Sequence, residues 1–139
     1  MEKIRILFLD DMDTRIDSFL SNHHKDRYHI DVAKSSKEAI KMLSEEPRYH
    51  VACLDHDLSD EHYYDLESPH EDTGCDVACF ISEGMNIDKI PNVVMVHSWN
   101  PSGVERMMRV LKNAGIQCFR RTFSDTFKIS IQNGQLTIV

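Results

Sequence analysis

Two hydrophobic rhythms alternate along this chain. Short apolar-rich runs at residues 4–9, 29–33, 51–54, 93–96 and 116–119 read as strands. Between them, apolar residues recur three and four positions apart, as on one face of a helix. Ile16, Phe19 and Leu20 form the first such face, and Ala39, Ile40 and Leu43 the second. Val77, Phe80 and Ile81 mark a helix over 74–84, and Val104, Met107, Met108 and Leu111 mark the last. The boundaries agree. Ser35 or Ser36 can cap the second helix, Asn100-Pro101 opens the fourth, and Gly115 stops it.

Near-continuous apolar strands, separated by amphipathic helices, require a parallel sheet covered on both faces. The expected fold is α/β, a doubly wound five-stranded parallel sheet. The tail reads differently. Residues 127–131 and 135–139 flank Gln132-Asn133-Gly134, and alternation around Asn-Gly predicts a β-hairpin. The chain therefore reads as one domain over 1–139, with an α/β core at 1–123 and a hairpin at 124–139. No repeat, linker or low-complexity segment interrupts it.

Composition adds limits. A chain of 139 residues with 41% hydrophobic positions can bury one ordinary core. Purely apolar runs such as Ile6-Leu7-Phe8-Leu9 are too short to span a membrane. The N-terminus enters a strand-like run without a signal-peptide core, so the expected compartment is the cytoplasm. Cys53 and Cys118 fall in strand-like runs, Cys75 and Cys79 on a helix, and no C-x-x-C pair exists. Reduced, partly buried thiols are expected.

The net charge of −7 is unevenly spread. Residues 49–88 carry eleven carboxylates and no lysine or arginine, while residues 89–139 carry seven bases and two acids. Binding to long nucleic acid needs a positive face and is disfavoured. A small phosphorylated ligand is not, provided a cation offsets the carboxylates. Four of the eight histidines (His50, His56, His62, His70) also lie in or at the edge of the acidic stretch.

In an open parallel sheet, ligands bind outside the carboxyl ends of the strands. Those ends carry Asp10-Asp11, Asp55-His56-Asp57, His97-Ser98-Trp99-Asn100 and Arg120-Arg121. Side chains with chemical function thus gather at one edge from four strands. Adjacent carboxylates at a buried strand end are costly without a cation. Asp10, Asp11 and Asp55 suit Mg²⁺ or Mn²⁺, with Asp57 able to extend the set or merely to cap a turn. Arg15, four residues after Asp11, can pair with a site carboxylate or hold a phosphate. His97 and His56 are candidate acid–base groups. Ser98 and Asn100, at a helix N-terminus, are candidate phosphate donors. Arg120 and Arg121 alternate in direction, so at most one faces the site; Arg120 is the candidate. Trp99 is expected to pack rather than to stack on a ligand. The acidic loop 59–73 reads either as a lid or as a loop without chemistry.

This strand-end pattern resembles the receiver domain of response regulators. Asp10, Asp11, Asp55 and Ser98 match an acidic pair, a phospho-accepting aspartate and a hydroxyl residue. No lysine lies in or directly after strand five, and a hairpin replaces the last helix. A closer resemblance is to the atypical receiver-like family described as cyclic-phosphate processing. It rests on Phe8-Leu9-Asp10-Asp11 with Arg15, and on Leu54-Asp55-His56-Asp57-Leu58. Thr73-Gly74 with Asp76-Val77, His97-Ser98 with Asn100-Pro101, and Met107 add to it. The resemblance implies a flavodoxin-like strand order, 2-1-3-4-5. It also implies processing of a cyclic phosphate on a nucleotide or RNA end. The expected function is a metal-assisted phosphoesterase acting on a cyclic phosphate or small phosphodiester. A nucleotide is the expected ligand, and a phospho-Asp55 intermediate is also chemically possible. The alternative is a non-catalytic degenerate receiver that binds a partner protein or sequesters a nucleotide. The hairpin edge could pair two copies into a homodimer.

Overall fold

The computed structural model describes residues 3–58, 73–124, 126 and 128–138. The expected elements form in the expected order: β1 (Ile4–Leu9), α1 (Asp13–Asn22), β2 (Tyr28–Ala33), α2 (Ser36–Glu45) and β3 (Val51–Leu54). Then follow α3 (Gly74–Glu83), a short 3₁₀ turn (Ile87–Lys89), β4 (Val93–Val96), α4 (Pro101–Asn113) and β5 (Cys118–Arg120). The tail forms β6 (Ile129–Gln132) and β7 (Gln135–Ile138). The lid reading falls on residues 59–72, outside the described residues. No helix among those described is long and apolar enough to cross a membrane.

The sheet is parallel throughout, with order β2-β1-β3-β4-β5. Alternate strand residues face opposite layers. Leu7, Leu9, Ala52, Leu54, Val94 and Val96 pack under α2, α3 and α4. Ile6, Phe8, Val51, Cys53 and Met95 pack against Ile16 and Phe19 of α1, with Phe123 and Ile129 closing the layer. The hairpin therefore helps to cover the α1 face. Its Asn133 and Gly134 both have positive φ, 52° and 78°, as a tight two-residue turn requires.

Two differences from the sequence reading have physical causes. Leu20 is 42% exposed, because the stripe facing the sheet runs through Ile16, Phe19 and a buried histidine, His23. Strand five starts two positions later than expected, at Cys118. Ile116 instead gives its N–H to the Leu111 carbonyl and finishes the turn after α4.

His23 fastens the hairpin. Its Nδ1–H donates to the Phe19 carbonyl at 2.7 Å, and its Nε2 accepts the Ile129 N–H at 2.9 Å. The Tyr28 hydroxyl donates to the Ile129 carbonyl at 2.6 Å. A column of stacked rings runs from this joint across the sheet. His23 lies on Phe19 (4.1 Å between centroids), Phe19 on Phe8 (4.1 Å), and Phe8 on His97 (5.0 Å).

Candidate functional site

Register creates the site. Leu9 of β1, Leu54 of β3 and Val96 of β4 stand side by side. The ladder continues one residue further, since Asp55 N–H donates to the Leu9 carbonyl and His97 N–H to the Leu54 carbonyl, both at 3.0 Å. Asp10, Asp55 and His97 thus end neighbouring strands in one row, and all three are buried. Half-buried Asp11 completes a trio with Asp10 and Asp55, one ligand oxygen of each lying within 4.8 Å of the others.

Arg15 answers the two buried carboxylates from α1. Its Nη2 donates to Asp55 Oδ2 at 3.2 Å, and its Nε lies 3.1 Å from Asp10 Oδ2. The second contact lacks hydrogen-bond alignment, so Asp10 Oδ2 is left without a hydrogen bond. The other oxygens are used locally: Asp10 Oδ1 accepts Met12 N–H, and Asp55 Oδ1 accepts His56 N–H, each at 2.9 Å. One guanidinium does not neutralise three carboxylates. Burial, aided by the charge on Asp10, raises the Asp55 pKa to about 7 even with Arg15 beside it. Burial raises that of Asp10 as well, although the Met12 N–H opposes the shift. The donor set suits a divalent cation: oxygen ligands only, one buried oxygen without a hydrogen bond, and carboxyls that ionise freely only when more positive charge is supplied. Asp10, Asp11 and Asp55 are the residues that would hold it.

His97 is unlike the acid–base group expected. It is fully enclosed, stacked on Phe8 at an interplanar angle of 3°, and Phe123 leans on it at 6.1 Å. Burial, then the positive Arg15, lowers its pKa to about 3. Its Nδ1 lies 3.7 Å from Asp10 Oδ2, and neither ring nitrogen makes a well-formed hydrogen bond. At neutral pH it is an uncharged ring and a weak base.

A second group forms beside the trio. His56 Nδ1 lies 2.7 Å from Asp57 Oδ1, and Asn100 Nδ2 donates to that same oxygen at 3.2 Å. Asn100 also caps α4, its Oδ1 accepting Gly103 N–H at 3.0 Å, while Ser98 Oγ accepts Asn100 N–H at 3.1 Å. Asp57 is thus engaged by His56 and Asn100 and stands apart from the acidic trio. Two glycines make this packing possible. A Cβ at Gly103 would lie 2.4 Å from the His56 ring, and one at Gly74 would lie 1.9 Å from the Asp55 carbonyl oxygen. Gly74 N–H donates to the His56 carbonyl at 2.9 Å and draws the start of α3 onto the Asp55-His56 turn.

The structure brings together Asp10, Asp11, Asp55, Arg15 and His97, with His56, Asp57, Ser98 and Asn100 alongside. Arg120 is not among them: it is exposed and lines a separate groove between α4 and β5 with Pro101 and Arg109. Arg121 shares the row, its N–H donating to the Val96 carbonyl at 2.9 Å. Trp99 does not pack as expected; it is 68% exposed. Sequence reading missed Phe8 as the shelf under His97 and Gly103 as the seat of His56. A glycine inside an otherwise regular amphipathic helix was the available signal for the second.

Residues 5–113 match the model of the family described as the cyclic-phosphate processing receiver domain. A search of curated proteins finds no significant match. Among solved structures, a CheY-like response regulator receiver domain from Methanospirillum hungatei JF-1 is similar, with 15% identity and a TM-score of 0.59. The similarity covers 89% of this chain and 86% of that one. The phosphorylated cyanobacterial phytochrome response regulator RcpA shares 16% identity at a TM-score of 0.60, over 88% of this chain and 82% of that one. A Burkholderia pseudomallei response regulator, solved with a phosphorylated aspartic acid, calcium ion and citrate, has 13% identity and a TM-score of 0.60. That similarity covers 90% of this chain and 62% of that one. These likenesses establish the receiver fold.

Proposed function

The chain belongs to the cyclic-phosphate processing receiver family, and we propose that it is a metal-assisted phosphoesterase acting on a cyclic phosphate or small phosphodiester of a nucleotide or RNA end. The observation that carries this reading is the buried Asp10–Asp55 pair with Asp11, short of positive charge, next to an Asp57-oriented histidine. The calcium ion and phosphorylated aspartic acid solved with the Burkholderia response regulator support a cation near an aspartate on this fold. Mg²⁺ or Mn²⁺, when bound, would supply positive charge for the phosphoryl oxygens.

The chain's own residues supply the rest. Asp57 accepts from His56 Nδ1–H, which leaves Nε2 as the free base. In the proposed reaction His56 Nε2 takes a proton from water as the water oxygen bonds to phosphorus. One ring P–O bond breaks, the departing oxygen receives that proton, and a phosphomonoester results. Arg15, Ser98 and Asn100 would hold phosphate oxygens. His97 serves as a neutral wall that keeps Asp10 in place rather than as a proton carrier. The contacts lend Arg120 no part in this. The exposed Trp99 ring supports a ligand that carries a base. The four free cysteines suit a reducing compartment, and the cytoplasm is part of this reading.

One observation favours the non-catalytic module instead: Arg15 already serves as an internal counter-ion to Asp10 and Asp55. A panel of cyclic nucleotides and 2′,3′-cyclic-phosphate RNA ends, with Mg²⁺ or Mn²⁺, separates the two. Turnover lost in both Asp55→Asn and His56→Ala supports the enzyme. Stoichiometric nucleotide binding with no substrate consumed supports the module. Within the described residues β6 and β7 pair only with each other, which supports pairing with a second copy; sedimentation across protein concentrations tests that.

A further inference from the structure

The opposite pole of the sheet holds a pocket of contrary chemistry. A cavity of about 510 Å³ opens at the amino ends of β1, β2 and β3. That is within the range of small-molecule sites. Its chemical groups are Lys3, Arg5, His29, Arg48, His50 and Asn92, with Tyr49 beneath; among the described residues no carboxylate lines it, although acids outnumber bases in the chain by 23 to 16. Arg5 and Asp10 are five positions apart on one extended strand, so the pocket lies about 16 Å from the acidic trio.

Arg5, Arg48 and His50 are each held in place. Arg48 Nε donates to the Ile90 carbonyl at 2.7 Å, which fixes the guanidinium while leaving its outer nitrogens for a ligand. His50 Nδ1 accepts the Arg5 N–H at 2.9 Å, so the ring proton sits on Nε2 and makes that atom a donor. The Arg5 guanidinium lies over the Tyr49 ring, 5.3 Å from its centroid. It pairs with the Glu46 carboxylate at 3.6 Å, and its buried Nε and Nη2 have no hydrogen bond among the described residues. Asp31, the other acid nearby, is occupied by His29 at 3.1 Å and by the Tyr49 hydroxyl. Lys3 is exposed at the rim. The result is a concave set of donors with three lasting positive charges and incomplete internal compensation.

We propose that this pocket binds a phosphate-class anion, either free inorganic phosphate or the terminal phosphate of a monoester, at a site independent of the acidic trio. Arg5 and Arg48 would take the oxygens, with His50 Nε2–H and Asn92 as neutral donors. Two fixed guanidinium groups match the fork geometry that phosphate favours.

Titration calorimetry with inorganic phosphate, and separately with AMP, tests this in EDTA at constant ionic strength on the whole chain. One saturable site is expected, weakened about tenfold in Arg48→Gln and less in Lys3→Gln, both exposed positions that should leave the fold intact. Amide shifts in ¹⁵N spectra should centre on residues 48–50 and 92. Tighter AMP than phosphate binding would identify a monoester as the ligand; the reverse would identify free phosphate. The proposal is overturned by shifts centred on 98–100, by affinity unchanged in Arg48→Gln, or by no saturable binding of either probe.

Discussion

His23 and His97 occupy the two ends of one ring column and solve opposite problems. Both are buried imidazoles stacked on a phenylalanine, and burial lowers the pKa of each. His23 has both nitrogens engaged and joins the hairpin to α1. His97 has neither nitrogen well bonded and stands beside an aspartate oxygen that also lacks a hydrogen bond. A satisfied buried polar group specifies structure, whereas an unsatisfied one marks a place where something other than stability was selected. The hairpin end is a finished joint. The acidic end keeps buried polar atoms without well-formed hydrogen bonds.

Matched substitutions should break the comparison most sharply. His23→Leu removes the acceptor of Ile129 N–H and leaves that donor buried, so it should destabilise by about 2–3 kcal/mol. His97→Leu removes no well-formed hydrogen bond and keeps similar volume, so it should cost less than about 1 kcal/mol in EDTA. Urea unfolding of both variants measures the contrast. Equal losses would erase the distinction.

A smaller effect comes from charge at the acidic end. Asp55→Asn removes a carboxylate that repels Asp10, and should raise stability in EDTA by roughly 1 kcal/mol. Wild type should gain stability on adding Mg²⁺, and the variant should gain little. A variant that gains as much as wild type would remove Asp55 from the cation's ligands.

The two ends should also respond to pH with opposite sign. The folded-state pKa of His23 lies below its ordinary 6.5, owing to burial despite the Phe19 carbonyl. The unfolded chain therefore binds more protons, and the His23 contribution is full above pH 6.5 and lost as pH falls below it. Asp55 is raised from 3.8 to about 7, so here the folded state binds more protons. Its carboxyl favours folding most at low pH and progressively less as pH rises toward 7. Thermal melts from pH 5 to 8, with each variant subtracted from wild type, should give slopes of opposite sign.

The sequence announced the acidic end more readily than the joint. β1, β3 and β4 were legible to the residue because parallel strands buried on both faces are near-continuous apolar runs, broken here only by Arg5 in β1. Their polar terminators, Asp10, Asp55 and His97, were legible because each ends such a run. The state of His97 was not, since its loss of basicity depends on Phe8 and Phe123, which reach it from other segments. His23 stands at a polar helix end, and only the return of Ile129, 106 positions later, gives its Nε2 a partner. Asp57 sat two residues from Asp55 and looked like a fourth ligand; the side-chain amide of Asn100, on α4, holds it with His56 instead.

Trp99 offers the finest test. It follows the row of buried groups by two positions, yet its ring is 68% in solvent, so the fold gains little from it. Trp99→Ala should leave stability within about 0.5 kcal/mol of wild type. Binding should respond differently if the exposed ring meets a base. Affinity for a cyclic nucleotide should then fall by roughly 1 kcal/mol or more, while affinity for a base-free cyclic phosphodiester stays unchanged. As the only tryptophan, Trp99 also reports its own contact, since its fluorescence should be quenched by the nucleotide and not by the base-free ester. Equal affinity loss for both ligands would mean that Trp99 shapes the phosphate site rather than reading the base. No loss for either would leave the acidic end selective for the phosphate alone.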